Sequence, residues 1–145
     1  MSIFVIEEND SLSGSLHKLR RRLGAVVRDL GYRGHSLTVL LTDDAGIRRI
    51  NREFRGIDES TNVLSFPDTG LARGLPNYLG DIALSVDTLR RESQGDEKDL
   101  GYLLYFYLIH GLLHLLGFDH EKGTKEDHEQ EKETIRLMSL IRHDL

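Results

Sequence analysis

Residues 100–120 read LGYLLYFYLIHGLLHLLGFDH, an apolar run that ends in three closely spaced histidines. A helix that is apolar on all sides must be covered by other elements, so this run predicts the central helix of a packed core. Its 17 residues from 100 to 116 reach only the lower limit for a membrane span, and two imidazoles would be costly inside a bilayer. Asp96 and Asp99 precede the run and suit the N-terminal cap of that helix.

The three histidines have the spacing of a transition-metal site. On a helix, His110 and His114 share one face, with Cβ atoms about 5–6 Å apart. Gly117 can adopt the left-handed conformation that ends a helix, which would bring His120 back to the same ion. Three protein nitrogens leave a position for water, which is the catalytic pattern for zinc. The sequence therefore predicts one bound Zn²⁺, although imidazole also suits Ni²⁺, copper and iron.

Two structural interpretations of these histidines remain open. A single histidine on an apolar helix face is commonly a packed core residue, but the whole triplet with its glycine favours a metal site. A purely structural zinc site usually has four protein ligands. His128 is the best candidate for a fourth ligand, and its acidic surroundings disfavour that role.

The same spacing occurs in the metzincin peptidases, whose signature is H-E-x-x-H-x-x-G-x-x-H. Their glutamate is the general base that takes a proton from the metal-bound water. Here Gly111 occupies that position, which disfavours an unchanged peptidase mechanism and is expected to leave space beside the metal. Asp119, next to a ligand, is then a candidate proton acceptor, or else a hydrogen-bond partner that orients a histidine.

Length and composition limit the classes of protein. A chain of 145 residues predicts a single domain over 1–145 that buries about 68–70% of its unfolded surface. With no cysteine there are neither disulfides nor thiolate metal ligands, which suits a reducing cytoplasm. The N-terminus lacks the basic segment of a secretory signal, so we expect a cytoplasmic protein without a membrane partner.

The net charge of −5 comes from 19 basic and 24 acidic residues that are unevenly distributed. Acidic side chains crowd residues 121–133, whereas basic ones cluster at 18–22 and at 48–55. Each cluster alone is typical of a solvated helix face. Together, the two basic clusters predict a local positive strip on an acidic protein, which suits contact with nucleic acid.

Hydrophobic periodicity and capping signals predict an α/β fold. The expected elements are a strand at 2–7, a helix from about Ser11, a strand at Ser36–Thr42, a helix capped by Asp43 and Asp44, strands at Asn62–Phe66 and Gly80–Val86, a short helix from Asp87, the histidine helix, and a last helix after Lys122. This order, β-α-β-α-β-β-α-α-α, indicates a mixed sheet of about four strands with helices packed against it.

A second polar cluster lies at Asn51–Pro67, where the chain leaves a helix and enters a strand. Polar side chains at element ends are typical of the lip of a site. The planar guanidinium of arginine can donate two hydrogen bonds to a phosphate group. Arg55 is therefore a candidate contact for an anionic substrate, with Arg52 and Ser65 as further candidates. Taken alone, this block favours the other interpretation, in which Arg55 only pairs with Asp58 or Glu59 at the surface.

The chain resembles the YbeY family of bacterial metal-dependent endoribonucleases, also called rRNA maturation factors. Three blocks carry the resemblance: N-x-x-[FY]-R-x-x-D-x-x-T-[DN]-V-L-S-F-P at Asn51–Pro67, L-G-D-I-x-[IL]-S at Leu79–Ser85, and H-G-x-L-H-L-x-G-[FY]-D-H at His110–His120. The third block is highly specific, and all three occur in this order.

The resemblance implies a fold related to the zincin metallohydrolases and the hydrolysis of single-stranded RNA, with no DNA substrate. It also implies a part in maturing the 3′ end of 16S ribosomal RNA, in ribosome quality control, and in contact with the small ribosomal subunit. His110, His114 and His120 would bind the divalent ion, and Arg55 would be important for activity. A metzincin-like peptidase and a non-catalytic ribosome-associated module with a structural metal remain the alternatives.

Overall fold

The computed structural model describes residues 3–8, 16–67, 76–118 and 124–142, with the backbone alone for 124–127. These residues form β1 (Ile3–Glu7), α1 (Leu16–Asp29), β2 (Ser36–Thr42), α2 (Asp44–Arg55), β3 (Val63–Phe66), β4 (Tyr78–Ser85), α3 (Val86–Glu92), α4 (Glu97–Leu115) and α5 (Thr124–Ile141). The predicted order of elements is confirmed. The predicted starts at Ser11 and Lys122 lie outside the described residues.

The four strands form one mixed sheet in the order β1-β2-β4-β3. β1, β2 and β4 are parallel, and β3 is antiparallel to β4, with Ser65 opposite Ile82. The inward-facing side chains of β2 and β4 lie in the main core with α1, α4 and α5, and they include Val39 and Leu84. The sheet therefore separates this large core from a small one, in which Ile47 of α2 covers the other face.

The histidine helix α4 lies at the centre of the main core, as predicted. Leu108, Leu112 and Leu113 are completely buried, and the helix packs against α1, α3, α5, β3 and β4. Its N-terminus is capped by Asp96, whose carboxylate accepts hydrogen bonds from two backbone N–H groups of the first turn. None of the helices within the described residues is long and apolar enough to span a bilayer.

Two sequence predictions about local structure were wrong. Val86 does not end a strand but begins α3, because the side chain of Ser85 accepts a hydrogen bond from the N–H of Thr88 and caps that helix. Arg22 does not lie on the exposed face of α1. It is only 7% exposed, because its guanidinium lies 5.1 Å from the ring centroid of Tyr105 in α4 and donates a hydrogen bond to the hydroxyl of that residue. The basic strip at 18–22 is therefore shorter than expected.

The start of α2 is tied to α3 through one carboxylate. Asp44 accepts hydrogen bonds from Ser85 Oγ at 2.6 Å, Thr88 Oγ1 at 2.8 Å and Arg91 Nη1 at 2.6 Å. The hydrogen bond from Arg91 is the main cause that lowers the pKa of Asp44 from 3.8 to about 2. Because the folded pKa lies below the unfolded one, this carboxylate stabilises the fold above about pH 4, and its contribution is lost as the pH falls towards 2.

We expect Asp44→Asn to lower the free energy of unfolding at pH 7 by about 1 kcal/mol, since the ion pair with Arg91 is largely solvent-exposed. The difference from wild type should shrink as the pH falls towards 2, where about half of the wild-type carboxylate is protonated. Urea unfolding at several pH values measures both effects. Glu53→Gln, an exposed carboxylate on the same helix, is the control. If Asp44→Asn were as much less stable than wild type at pH 2 as at pH 7, the stabilisation would not come from the ionised carboxylate of Asp44.

Candidate metal centre and adjoining cavity

His110 and His114 converge on a common point. Their Nε2 atoms are 3.2 Å apart, and their ring centroids are separated by 4.7 Å. Two nitrogens that lie about 2.0–2.1 Å from a tetrahedral zinc ion are separated by about 3.3–3.4 Å. The spacing of the two imidazoles therefore fits a shared divalent ion.

The helix ends directly after this pair. Gly117 has a φ angle of +99°, the left-handed conformation that the sequence predicts. The N–H of Gly117 donates to the carbonyl oxygen of His114 at 3.1 Å, and the N–H of Phe118 donates to that of Leu113 at 3.0 Å. This pair of hydrogen bonds is the Schellman motif, which turns the chain sharply away from the helix axis. The turn holds the last carbonyl groups of α4 and fixes the end that carries His114.

Asp119 and His120 lie outside the described residues, so their roles stay predictions. Within the described part of the chain, no three side chains of the metal-binding types meet at one point. His128 is exposed on α5.

Gly111 faces strands β3 and β4 of the sheet. A Cβ atom there would lie 2.9 Å from Ser65 Oγ and 3.0 Å from Ile82 Cγ2, both closer than normal packing allows. The hydroxyl of Ser65 also donates a hydrogen bond to the carbonyl oxygen of Gly111 at 3.0 Å. The expected space beside the metal is therefore absent at this position, because β3 and β4 already fill it.

We expect Gly111→Ala to lower the free energy of unfolding by about 1–2 kcal/mol, because the added methyl group must displace the side chains of Ser65 and Ile82. Gly101→Ala, in the same helix, is the matched control: its Cβ would meet no atom within 4 Å in the described structure. That change should raise the stability by up to about 1 kcal/mol through helix propensity. Urea unfolding of both variants tests the contrast, and equal stabilities would contradict close packing at Gly111.

A cavity of about 600 Å³ adjoins the two histidines, and Arg55 lines it together with Ser65. Arg55 Nη2 donates a hydrogen bond to the carbonyl oxygen of Ser65 at 2.9 Å, and its guanidinium lies 5.4 Å from the ring centroid of Phe66. These two contacts hold the end of the arginine over β3. They place a cationic side chain in the wall of the cavity that also contains the histidine pair.

The surface ion pair considered for Arg55 is formed by its neighbours instead. Arg48 Nε lies 2.8 Å from Asp58 Oδ1, and Arg52 Nη1 lies 3.9 Å from the same oxygen. Within the described residues Arg55 has no such partner. Arg52 is not among the described side chains that line the cavity, so its predicted contact with substrate gains no support from its position.

The loop that forms the rim of the cavity is held by a buried amide. Asn51 is 5% exposed, and its Nδ2 atom donates a hydrogen bond to the carbonyl oxygen of Glu59 at 3.0 Å. This contact fixes the segment after α2, from which Thr61 and Asn62 also line the cavity. The polar block at Asn51–Pro67 therefore forms one wall of the site.

Sequence reasoning missed Gln130 of α5, whose Nε2 atom lies 3.0 Å from His110 Nδ1. Gln130 is 3% exposed, although acidic side chains surround it in the sequence. A signal was present, because Gln130, Thr134, Met138 and Ile141 recur with helical period on the buried face of α5. A polar residue in such a stripe needs a partner in the core.

The sequence profile of the family described as Endoribonuclease YbeY matches residues 7–141. Several curated proteins with that name are similar to the chain. One from Bradyrhizobium is 46% identical over 110 residues, which cover 72% of this chain and 64% of the relative. One from Nitrobacter winogradskyi is 45% identical over 122 residues, which cover 81% of this chain and 63% of the relative. One from Anaeromyxobacter dehalogenans is 38% identical over 143 residues, covering 97% and 74%.

The matched part of the chain thus spans slightly less than two thirds of the first two relatives. Among solved structures, the solution structure of TM1509 from Thermotoga maritima is similar, with a TM-score of 0.59 and 26% identity. The match covers 99% of this chain and 93% of that protein. The α/β fold with a mixed four-stranded sheet is confirmed, in agreement with the zincin-like architecture that the family resemblance implies.

Proposed function

The chain belongs to the Endoribonuclease YbeY family, and on this premise we propose that it is a metal-dependent endoribonuclease specific for single-stranded RNA. The name of the curated relatives supports the nuclease activity. The finer proposal is that the protein matures the 3′ end of 16S ribosomal RNA and contributes to ribosome quality control. Its partner would then be the small ribosomal subunit in the cytoplasm.

One observation carries the catalytic proposal: the convergent Nε2 atoms of His110 and His114 adjoin a cavity that Arg55 also lines. The two imidazoles suit Zn²⁺ or another divalent ion, with His120 as the proposed third ligand. When bound, such an ion supplies a Lewis acid for a phosphoryl oxygen and acidifies water.

The protein's own side chains would position the phosphodiester. Arg55 donates a hydrogen bond through one N–H group to the carbonyl oxygen of Ser65, and this bond orients the guanidinium. Its other N–H groups can donate to the non-bridging phosphoryl oxygens, where negative charge builds in the transition state. Asp119 is proposed to accept the proton of the attacking water.

The two alternative functions are disfavoured by specific contacts. A metzincin peptidase needs a glutamate after the first histidine, and the contacts of Gly111 with β3 and β4 leave no room for that side chain. A closed structural site needs a fourth protein ligand, and the candidate for it, His128, is exposed on α5.

One assay distinguishes the endoribonuclease, the peptidase and the non-catalytic module. Zinc-loaded protein is incubated with single-stranded RNA, the same sequence as a duplex, single-stranded DNA and casein, each with and without a chelator. We expect cleavage of the single-stranded RNA alone, and its loss with chelator. Degradation of casein would instead indicate a peptidase, and intact RNA under all conditions would refute the proposed activity.

A further inference from the structure

The imidazole of His110 has a different neighbour at each ring nitrogen. Nε2 faces His114 at 3.2 Å, and Nδ1 faces the side-chain amide of Gln130 at 3.0 Å. A neutral imidazole carries its proton on only one of these nitrogens, and the other has the lone pair that can bind a metal. The group that faces Nδ1 therefore influences whether Nε2 can act as a ligand.

The amide of Gln130 can face the ring in two ways. When the NH₂ group of Gln130 faces Nδ1 of His110, it donates a hydrogen bond to that nitrogen. The ring proton of His110 must then be on Nε2. In that orientation Gln130 Oε1 is buried without a hydrogen-bond partner within the described structure. A half-turn of the amide exchanges the two atoms with little change in shape. Oε1 then accepts the N–H of Nδ1, and the lone pair of Nε2 points towards His114.

We propose that Gln130 is a positioning residue that holds His110 as the Nδ1–H tautomer and thereby prepares Nε2 for the metal. The inference rests on the proposed function, since it concerns the same metal centre. Partners of this kind orient metal-binding histidines, and their loss commonly weakens metal binding by about 10–100-fold.

The surroundings of Gln130 suit this role. Glu129 and Glu131 flank it and are exposed, so among these three consecutive side chains only the neutral amide enters the core. An amide oxygen accepts a hydrogen bond without the desolvation cost of a buried carboxylate. Thr134, one turn later, donates its hydroxyl to the backbone carbonyl oxygen of Gln130 at 2.9 Å, a contact that does not involve the side-chain amide. The packing of α5 on α4 thus fixes the amide against His110.

Three variants test the proposal. Gln130→Met keeps the approximate volume but removes the acceptor, and Gln130→Glu keeps an acceptor. Thr134→Val, a buried polar residue on the same face that is not in hydrogen-bond contact with His110, is the control. Zinc affinity is measured by competition with a chromogenic chelator. The tautomer of His110 is measured by ¹⁵N NMR of histidine-labelled protein after chelator treatment, so this readout does not depend on metal or activity.

We expect wild type to carry the His110 proton on Nδ1, and Gln130→Met to lose this preference and bind zinc 10–100-fold more weakly. Gln130→Glu should restore both properties, and Thr134→Val should resemble wild type. Wild-type affinity in Gln130→Met, or a wild-type proton on Nε2, would overturn the proposal. A protein that binds zinc as expected but leaves RNA intact would instead refute the proposed function and not the role of Gln130.

Discussion

His114→Ala is expected to lose zinc binding and RNA cleavage together while the fold is retained. Binding free energies of about 10–16 kcal/mol for four-ligand zinc sites correspond to roughly 3–4 kcal/mol per ligand, or about 100–1000-fold in affinity. His114 is only partly buried at the end of α4, so its truncation leaves the core intact. Chelator competition gives the affinity, and cleavage of a labelled single-stranded RNA gives the rate.

His128→Ala is the matched control for this prediction. His128 is an exposed histidine of α5, and its removal tests directly whether a fourth histidine completes the coordination. We expect wild-type zinc content and activity. If His114→Ala retained tight zinc binding, or if His128→Ala lost it, the assignment of the metal ligands would be wrong.

Arg55→Ala is expected to keep the metal and lose most turnover. Removing one group that stabilises developing negative charge typically lowers kcat by about 10²–10³-fold. Arg55 lines the cavity, and its contacts within the described structure are with β3, so zinc affinity should stay within about twofold of wild type. Single-turnover cleavage with saturating RNA measures the chemical step separately from binding.

Two further substitutions test whether the loss of activity in Arg55→Ala is specific to the guanidinium of Arg55. Arg49→Ala removes an exposed arginine of the same helix that does not line the cavity, and it should cleave saturating RNA at the wild-type single-turnover rate. Arg55→Lys keeps the charge but not the planar fork, so it should recover only part of the activity. Wild-type turnover in Arg55→Ala would show that transition-state charge is stabilised by another group.

Local signals allowed much of the fold to be predicted from the sequence. β2 occupies the predicted residues Ser36–Thr42, because its β-branched and aliphatic residues lie between clear turn signals. Asp43 caps α2 through a 2.8 Å hydrogen bond from the N–H of Gly46, as its position before the helix suggested. Such features depend on a few neighbouring residues, so one sequence is sufficient to indicate them.

The features that were not predicted depend on contacts between distant residues. β4 pairs with both β2 and β3, and no local pattern gives that order of strands. Gln130 meets His110 from 20 residues away in the chain, through the packing of α5 on α4. Gly111 indicated a missing catalytic carboxylate, but its contact with Ser65 of β3 became evident only from the structure.

Anomalous diffraction at the zinc absorption edge, from crystals of the zinc-loaded protein, tests whether three histidines bind one ion with an open fourth position. We expect one peak about 2.0–2.1 Å from nitrogens of His110, His114 and His120, with a solvent-accessible fourth position. A peak at any other location, a His120 imidazole directed away from the ion, or a fourth protein ligand that closes the site would contradict it.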